Sequence, residues 1–323
     1  MRTLTRALAI VAVIVVAVAW FLGPTLGLAL RGQPFFLVPP SPERYAAVVL
    51  DQAERAGIQA SSPEFPGARA HAEEVAAEAE TIPDIHESLD AALVAAGGKH
   101  SGLITPEDAA ELAEKHSVLP SVERRGGVLT ATVPPFDSSN SAQAYADALA
   151  QGLTSEDNVC GIDVDLRDNT GGDMGPMVAG LSPLLPDGEV LRFVANDYSR
   201  AVTLDGNSVQ GGGTAVTTTG GKMGRPVTVL VNGMTGSSGE ATFLAFRGLE
   251  NSRSFGSPTA GFATANTTFR MPDGAVVMLT VAHMQDRTGA THGDDLIHPD
   301  DPAEDPQAAA LDWLATAHGC STS

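Results

Sequence analysis

The sequence contains few cysteines and few basic residues, and each shortage excludes a class of protein. Only two of its 323 residues are cysteine, Cys160 and Cys320, and they form no Cys-x-x-Cys motif, which argues against a zinc finger or a thioredoxin-type site. The 19 Lys and Arg residues stand against 39 Asp and Glu residues, so the net charge of −20 leaves no basic surface for nucleic acid. Neither a glycine-rich nucleotide motif nor a His-Glu-x-x-His motif occurs, so we expect no cofactor and no metal.

The N-terminal segment Ala7–Leu30 contains no charged residue. As a helix it would extend roughly 36 Å, enough to cross a bilayer, and the preceding Arg2 and Arg6 favour an N-terminus on the inner side. The alternative is a cleaved signal peptide, whose apolar core is normally shorter. Both interpretations export the acidic body. The length of the apolar segment favours the uncleaved anchor, so we expect a single-pass cell-membrane protein with its body outside the cytoplasm.

Export would permit a disulfide between Cys160 and Cys320. Sequence separation gives no spatial distance, so the pairing stays open at this point. The 43% hydrophobic content is sufficient for a packed core and excludes global disorder.

The body divides into a helical part, residues 32–120, and an α/β part, residues 121–323. In the first part, helical patterns cover about 42–57, 67–80, 83–97 and 106–116. In the second part, strands at about 128–133, 159–166, 190–195, 227–231 and 275–281 alternate with helices at 141–153, 238–249 and 305–318. This alternation predicts an α/β domain with mostly parallel strands. The Gly- and Thr-rich residues 205–222 predict a mobile hairpin or loop.

Three short stretches carry residues suited to chemistry. His100 follows a helix-ending glycine pair, where a loop can direct it at a cleft, although a solvated histidine at a helix end is the simpler interpretation. Gly171 and Gly172 follow a buried strand and can present backbone N–H groups to an oxyanion, unless the stretch is only a capped turn. Ser237 stands at the start of a helix, but Ser237-x-x-Glu240 also matches a capping box.

Together the three stretches indicate acyl transfer. A nucleophile at a helix start, a histidine on a loop and a glycine-rich strand end are the parts that this chemistry requires.

The segments "DLRDNTGG", "NGMTGSSGE" and "GGKHS" resemble the tail-specific, or C-terminal processing, serine peptidase family. The likeness covers roughly residues 85–315 and includes the later "GSPTAGFATANTTFRMPDGAVVMLT" and "IHPDD" segments. It implies a crotonase-like (ClpP/crotonase-type) α/β core with an N-terminal helical subdomain that closes a substrate tunnel. It also implies cleavage near the C-terminus of an extended peptide, without a cofactor.

One departure from the family pattern selects the branch. Members with a PDZ domain use a Ser/Lys dyad in which the lysine follows the serine by about 25 residues, and that position here is Phe262. The chain has only Lys99, Lys115 and Lys222, all of which precede Ser237. There is also no room for a PDZ domain. Both observations favour the PDZ-less Ser/His branch, to which nisin resistance proteins belong.

Transferred residue by residue, the resemblance implies Ser237 as nucleophile and His100 as general base. Ser238 is the second candidate for the nucleophile. The N–H groups of Gly172, or Gly171, and of Ser238 would form the oxyanion hole. No residue that orients His100 is identifiable, and three acids on the returning segment are candidates: Asp286, Asp294 and Asp295.

We therefore expect a serine peptidase that acts on a peptide or protein substrate. The acidic body would attract cationic peptides. The competing hypothesis is a degenerate peptidase-like fold that serves as a binding or scaffold protein. Three further histidines, His283, His292 and His298, lack the spacing of a metal site and are interpreted as solvated loop residues.

Overall fold

The chain forms a mixed α/β fold, as the alternation of elements predicts. The computed structural model describes residues 2–114, 118–137 and 141–321, without side-chain detail for residues 2–15 and 113. Two compact units are distinguishable. Unit 1 comprises Met1–Glu114 and Asn266–Val281, and unit 2 comprises Lys115–Ala265 and Ala282–Ser323. The segment boundaries proposed above at residues 31 and 120 stay predictions.

The helices correspond closely to the predicted ones. In chain order they are α1 (Arg2–Arg31), α2 (Pro42–Ala56), α3 (Phe65–Glu78), α4 (His86–Gly97), α5 (Pro106–Glu114), α6 (Ala142–Thr154), α7 (Met174–Gly180), α8 (Ser238–Leu244) and α9 (Pro306–His318). The predicted helix over 238–249 is wrong in its second half, because α8 ends at Leu244.

Capping side chains fix the first residues of two helices. Ser41 accepts a hydrogen bond from the Arg44 N–H at 3.4 Å, and Asp305 accepts one from the Ala308 N–H at 3.0 Å.

The strands outnumber those predicted. They are β1 (Gly102–Ile104), β2 (Ser121–Arg125), β3 (Val128–Thr132), β4 (Gly161–Asp165), β5 (Gly188–Val194), β6 (Ser199–Asp205), β7 (Ser208–Gln210), β8 (Val227–Val231), β9 (Ser252–Gly256), β10 (Thr264–Arg270), β11 (Val276–Asp286), β12 (Thr291–His292) and β13 (Asp301–Pro302). Residues of β10 and β11 belong to both units.

Unit 1 is built on helices, with a core between α2, α3 and α4. Tyr45, Leu50, Leu89 and Leu93 are among its fully buried side chains. Strand β1 pairs antiparallel with the first residues of β11. The helical character predicted for this part of the chain is therefore confirmed.

The predicted membrane span receives no support from the structure. Helix α1 is continuous over Arg2–Arg31. Among the residues with described side chains, however, no helix combines the length and the apolar character that crossing a bilayer demands. The predicted span is Ala7–Leu30, and its first part, residues 7–15, is not among the residues with described side chains.

Unit 2 contains a sheet in the order β13-β9-β8-β4-β3-β2, parallel except for the β2–β3 pair. Strand β8 is buried at all five positions, as expected for a central strand of a parallel sheet, and its one polar residue, Thr228, makes a buried side-chain hydrogen bond. In register, Ile162 lies beside Val227 and Asp165 beside Leu230. The carboxyl ends of β4 and β8 therefore meet, and the segments that follow them start side by side.

An antiparallel sheet also exists in unit 2, where β5 pairs with β6 and with the second half of β11, and β6 pairs with β7. The expectation of mostly parallel strands is wrong for this sheet. Its strands expose one face, as the mixed burial along β6 shows, and polar residues interrupt their apolar pattern. Half-buried strands with an interrupted apolar pattern give a weak signal in the sequence.

The segment over 205–222 combines a hairpin with a fastened loop. Strands β6 and β7 form the hairpin. Beyond it, the Lys222 ammonium donates to the carbonyls of Ser182 at 3.1 Å and Leu185 at 2.9 Å, and pairs with Asp187 at 2.9 Å. The hairpin is therefore confirmed, and Lys222 ties the end of the loop to the rest of unit 2.

Two features attach the C-terminal segment. Cys160 and Cys320 form a disulfide, which settles the open pairing. Helix α9 packs on β4 and β8 and buries Leu314. The fully buried Asp163 of β4 accepts hydrogen bonds from Thr228 at 2.8 Å and from Gln307 of α9. Burial raises the pKa of the Asp163 carboxyl to about 6.

Replacement of Asp163 by Asn should change how stability depends on pH. The unfolded chain protonates this group near the ordinary value of 3.8, whereas the folded protein does so near 6. Between these values the folded state binds more protons, so the free energy of unfolding falls as the pH rises. Asp163→Asn should remove that fall with pH, and at pH 7 it should raise the free energy of unfolding by up to about 3 kcal/mol.

Urea unfolding between pH 4 and pH 7 measures this effect. Asp312→Asn, an exposed acid on α9, is the control and should leave the slope unchanged. An Asp163→Asn variant with the parent slope would contradict the prediction.

Candidate active site

Ser237 has an unusual backbone conformation at the start of α8. Its φ is 52° and its ψ −117°, in a region that non-glycine residues rarely occupy. The residue is partly exposed, and its N–H donates to the Glu240 carboxylate at 3.0 Å. The backbone half of the capping box is therefore present. The strained turn presents the serine at the start of α8, six residues after the buried strand β8 ends.

Ser238, the second candidate for the nucleophile, has a different environment. It is only 8% exposed, and its hydroxyl donates to the Gly172 carbonyl at 2.7 Å. Because that hydroxyl is buried and bonded to backbone, the geometry favours Ser237 as the nucleophile.

The Gly171–Gly172 turn lies directly against Ser237. Both glycines have positive φ, 112° and 110°. A Cβ atom on Gly171 would lie 2.8 Å from the Ser237 Cβ, and one on Gly172 would lie 1.6 Å from the Phe136 carbonyl oxygen. Only glycine fits at either position.

Backbone N–H groups at this turn differ in their availability. The Gly171 N–H donates to the Asn169 side-chain oxygen at 3.0 Å, so it is occupied. Across the described residues, no acceptor is found for the N–H groups of Gly172 and Ser238. Of the two predicted glycine donors, Gly172 is therefore the one that the geometry favours.

The buried Glu240 carboxylate joins Ser237 to a second loop. Besides the Ser237 N–H, it accepts the N–H groups of Gly261 at 2.9 Å and Phe262 at 2.7 Å, and the Thr259 hydroxyl. Burial raises the pKa of Glu240, while these donors oppose the rise. Glu240 therefore holds this second loop to the start of α8.

Two residues support the glycine turn; the sequence indicated Asn169 only as a cap of that turn and gave no role to Phe136. Asn169 is fully buried; its amide donates to the Val133 carbonyl at 2.8 Å, and its own carbonyl accepts the Gly236 N–H at 2.9 Å. The Phe136 N–H donates to the Gly171 carbonyl at 3.0 Å. The position of Asn169 beside the glycines was the available signal for its role, whereas nothing in the sequence connects Phe136 to the turn.

His100 belongs to unit 1, so the structure does not bring it together with Ser237 within one unit. It lies on the turn after α4. That helix ends at Gly97, and the next residue, Gly98, has a φ of 84°. The His100 carbonyl accepts the Asn266 amide at 3.3 Å, and Ser101 is buried with its hydroxyl accepting the Thr280 N–H at 2.9 Å. The loop position predicted for His100 is confirmed.

The acids proposed to orient His100 lie in unit 2. Asp286 is 4% exposed, and its carboxylate accepts from Thr288 and bonds His292 at 2.9 Å. Asp294 is partly buried and Asp295 exposed. Asp286 therefore stabilises its own turn, and the prediction that it orients His100 lacks support.

The interpretation of three histidines as solvated loop residues is wrong for two of them. His283 lies on β11 and His292 on β12, where His292 pairs with the buried Asp286. His298 is exposed, as expected. Within the described part of the chain, no group of three or more His, Cys, Asp or Glu side chains could hold a metal ion.

Comparison with known proteins identifies related chains. The family model described as "Peptidase family S41" matches residues 128–302. The nisin-resistance protein of Lactococcus lactis subsp. lactis is 35% identical over 283 residues, which cover 86% of this chain and 89% of that protein.

Two solved structures resemble the fold. A lipoprotein from Streptococcus agalactiae has a TM-score of 0.76 and 28% identity, covering 88% of this chain and 99% of that chain. The photosystem II D1 C-terminal processing protease has a TM-score of 0.59 and 16% identity, with coverage of 88% and 99%. The second likeness concerns the fold alone.

Replacement of Gly171 by Ala should displace Ser237. The added methyl group would meet the Ser237 Cβ at 2.8 Å. We expect the rate of Ser237 labelling by a fluorophosphonate probe to fall about 100-fold, because small displacements of a reacting group are costly.

Gly188→Ala is the matched control. Gly188 has a similar φ of 108° in unit 2, but nothing lies within 4 Å of its added Cβ. The control carries the same backbone strain, so equal slowing of both variants would show that strain, not displacement of Ser237, is responsible.

Proposed function

The chain belongs to peptidase family S41 and is a serine peptidase, and we propose that it cleaves an extended peptide near its C-terminus through an acyl-enzyme on Ser237. The observation that carries this proposal is the strained, partly exposed Ser237 beside the Gly171–Gly172 turn. A nucleophile next to preorganised backbone donors is what acyl transfer requires.

In the proposed mechanism, the Ser237 hydroxyl oxygen attacks the scissile carbonyl carbon while His100 accepts the hydroxyl proton. The N–H groups of Gly172 and Ser238 donate to the oxyanion of the tetrahedral intermediate. Collapse breaks the C–N bond, and His100 passes its proton to the leaving amine. Water then attacks the acyl-enzyme with His100 again as base, which releases the new carboxylate and restores Ser237.

The role of His100 depends on the sequence motif. The lysine position of the Ser/Lys branch is Phe262, and no lysine follows Ser237. The family resemblance further implies a crotonase-like core with a helical part that closes a substrate tunnel, and we retain both as part of this proposal.

Substrate and location extend the proposal. A net charge of −20 favours a cationic peptide, and the name of the Lactococcus lactis relative makes nisin the first peptide to test. We propose that the protein works at the outer side of the cell membrane. The Cys160–Cys320 disulfide supports export, since disulfides persist in oxidising compartments.

Ser237→Ala should abolish covalent labelling by a fluorophosphonate probe and reduce peptide cleavage by several orders of magnitude, because the acyl-enzyme can no longer form. Mass spectrometry of the labelled protein locates the modified residue. Ser238→Ala is the comparison, and it should keep the label on Ser237. Labelling that survives in Ser237→Ala and disappears in Ser238→Ala would reverse the assignment. A parent protein that neither takes up the label nor cleaves peptides would instead be a binding protein with a peptidase-like fold.

His100→Ala should lower activity nearly as much as Ser237→Ala, and the double variant should lose little more, because the two groups act as a unit. Activity of the parent protein should rise between about pH 5 and pH 8, since the unperturbed pKa of histidine is about 6.5 and only its neutral form accepts the proton. His71→Ala, another histidine of unit 1, is the control. Near-full activity of His100→Ala would require a different base.

A further inference from the structure

We propose that Asp168 and Asn232 form a positioning pair that sets the spacing between the glycine turn and Ser237. Neither residue is proposed to touch the substrate. The inference builds on the proposed function, because it assigns the pair an effect on the reaction at Ser237.

The pair consists of two reciprocal hydrogen bonds between the segments that follow β4 and β8. The Asp168 N–H donates to the Asn232 side-chain oxygen at 3.1 Å, and the Asn232 amide nitrogen donates to the Asp168 carboxylate at 2.9 Å. The same Asn232 oxygen accepts the Met234 N–H at 3.0 Å. A single amide side chain thus fixes its own loop and attaches the neighbouring one.

The Asp168–Asn232 pair, called the bridge below, is close in the chain to the glycine turn and to Ser237. Asp168 lies three residues before Gly171, and Asn232 lies five residues before Ser237. Between the bridge and Ser237, the Gly236 N–H donates to the Asn169 carbonyl at 2.9 Å. A shift of either loop at the bridge is therefore transmitted toward the contact between Gly171 and Ser237.

Asp168 also has a strained backbone, with φ 61°. Aspartate tolerates this left-handed conformation better than most residues, but the conformation persists only where neighbouring contacts impose it. The two bonds with Asn232 supply such contacts. The geometry of the turn that leads to Gly172 thus depends on this pair.

The pair should affect rate more than stability. Asp168 is exposed and Asn232 partly exposed, and hydrogen bonds in such positions contribute little net stability. Donors to an oxyanion, by contrast, act only within a narrow range of distance. A loss of the bridge should therefore slow the reaction of Ser237 without unfolding unit 2.

The experiment compares three variants. Asn232→Asp places two carboxylates against each other and removes the amide donor. Asp168→Asn keeps an acceptor for the Asn232 amide. The double variant Asp168→Asn with Asn232→Asp reverses the pair, since the new amide at 168 can donate to the new carboxylate at 232.

The probe is a fluorophosphonate, whose maximal labelling rate (kinact) and half-saturating concentration (KI) are measured separately. We expect Asn232→Asp to lower kinact about tenfold or more, with KI within about threefold, because the donors are displaced. Asp168→Asn should remain within about threefold of the parent, and the double variant should recover most of the loss. The thermal unfolding midpoint should change little in all three.

Gln143→Glu is the matched control. The Gln143 amide donates to the Asp147 carboxylate at 3.0 Å on the surface of α6, so this variant makes the same chemical change away from the two loops. Its kinact should equal that of the parent.

Three results would overturn the inference. One is a kinact for Asn232→Asp within about twofold of the parent. Another is a folded double variant that stays as slow as Asn232→Asp. The third is an unfolding midpoint of Asn232→Asp far below that of Gln143→Glu, which would make the pair a stability element. A parent protein that is not labelled at Ser237 would contradict the proposed function itself.

Discussion

The candidate site depends on the close approach of two backbone segments. The Gly171–Gly172 turn leaves no space for a side chain, because Ser237 lies on one side and the Phe136 carbonyl on the other. This approach exists because β4 and β8 are adjacent parallel strands in register, so their carboxyl ends meet although the strands are distant in sequence. The sheet therefore brings the two segments close together, and they can touch because Gly171 and Gly172 have no side chains.

A buried charge stabilises this arrangement and also constrains it. Glu240 would be costly to bury alone, but it accepts backbone N–H groups from Ser237, Gly261 and Phe262 and the Thr259 hydroxyl. Those bonds hold two loops to the first turn of α8. Within the described part of the chain, these donors occupy the carboxylate, and neither the Ser238 nor the Gly172 N–H group is among them. An anion can thus lie within one helical turn of the proposed nucleophile while separate N–H groups remain for the oxyanion.

The sequence predicted what depends on local pattern. The buried strand β8, the helices α2 and α9, and the glycine pair after β4 each follow from neighbouring residues. The antiparallel pairing in unit 2 was missed because its strands are only half-buried and polar residues interrupt their apolar pattern. Phe136 and Asn232 were missed for another reason. Their roles come from contacts between segments far apart in the chain, which no local pattern contains.

The two loops at the carboxyl edge differ in how they are fixed. In the inner part, Asn169 and Gly171 are buried, and a Cβ atom on Gly172 would collide with backbone, so packing restricts this part. The outer part, at Asp168 and Asn232, lies nearer the surface, and two reciprocal side-chain hydrogen bonds join the two loops there. Packing tolerates few alternatives, whereas exposed hydrogen bonds exchange readily with water. Packing therefore restricts the buried side of the proposed oxyanion hole, while the spacing of its two loops at the surface is proposed to depend on the Asp168–Asn232 pair.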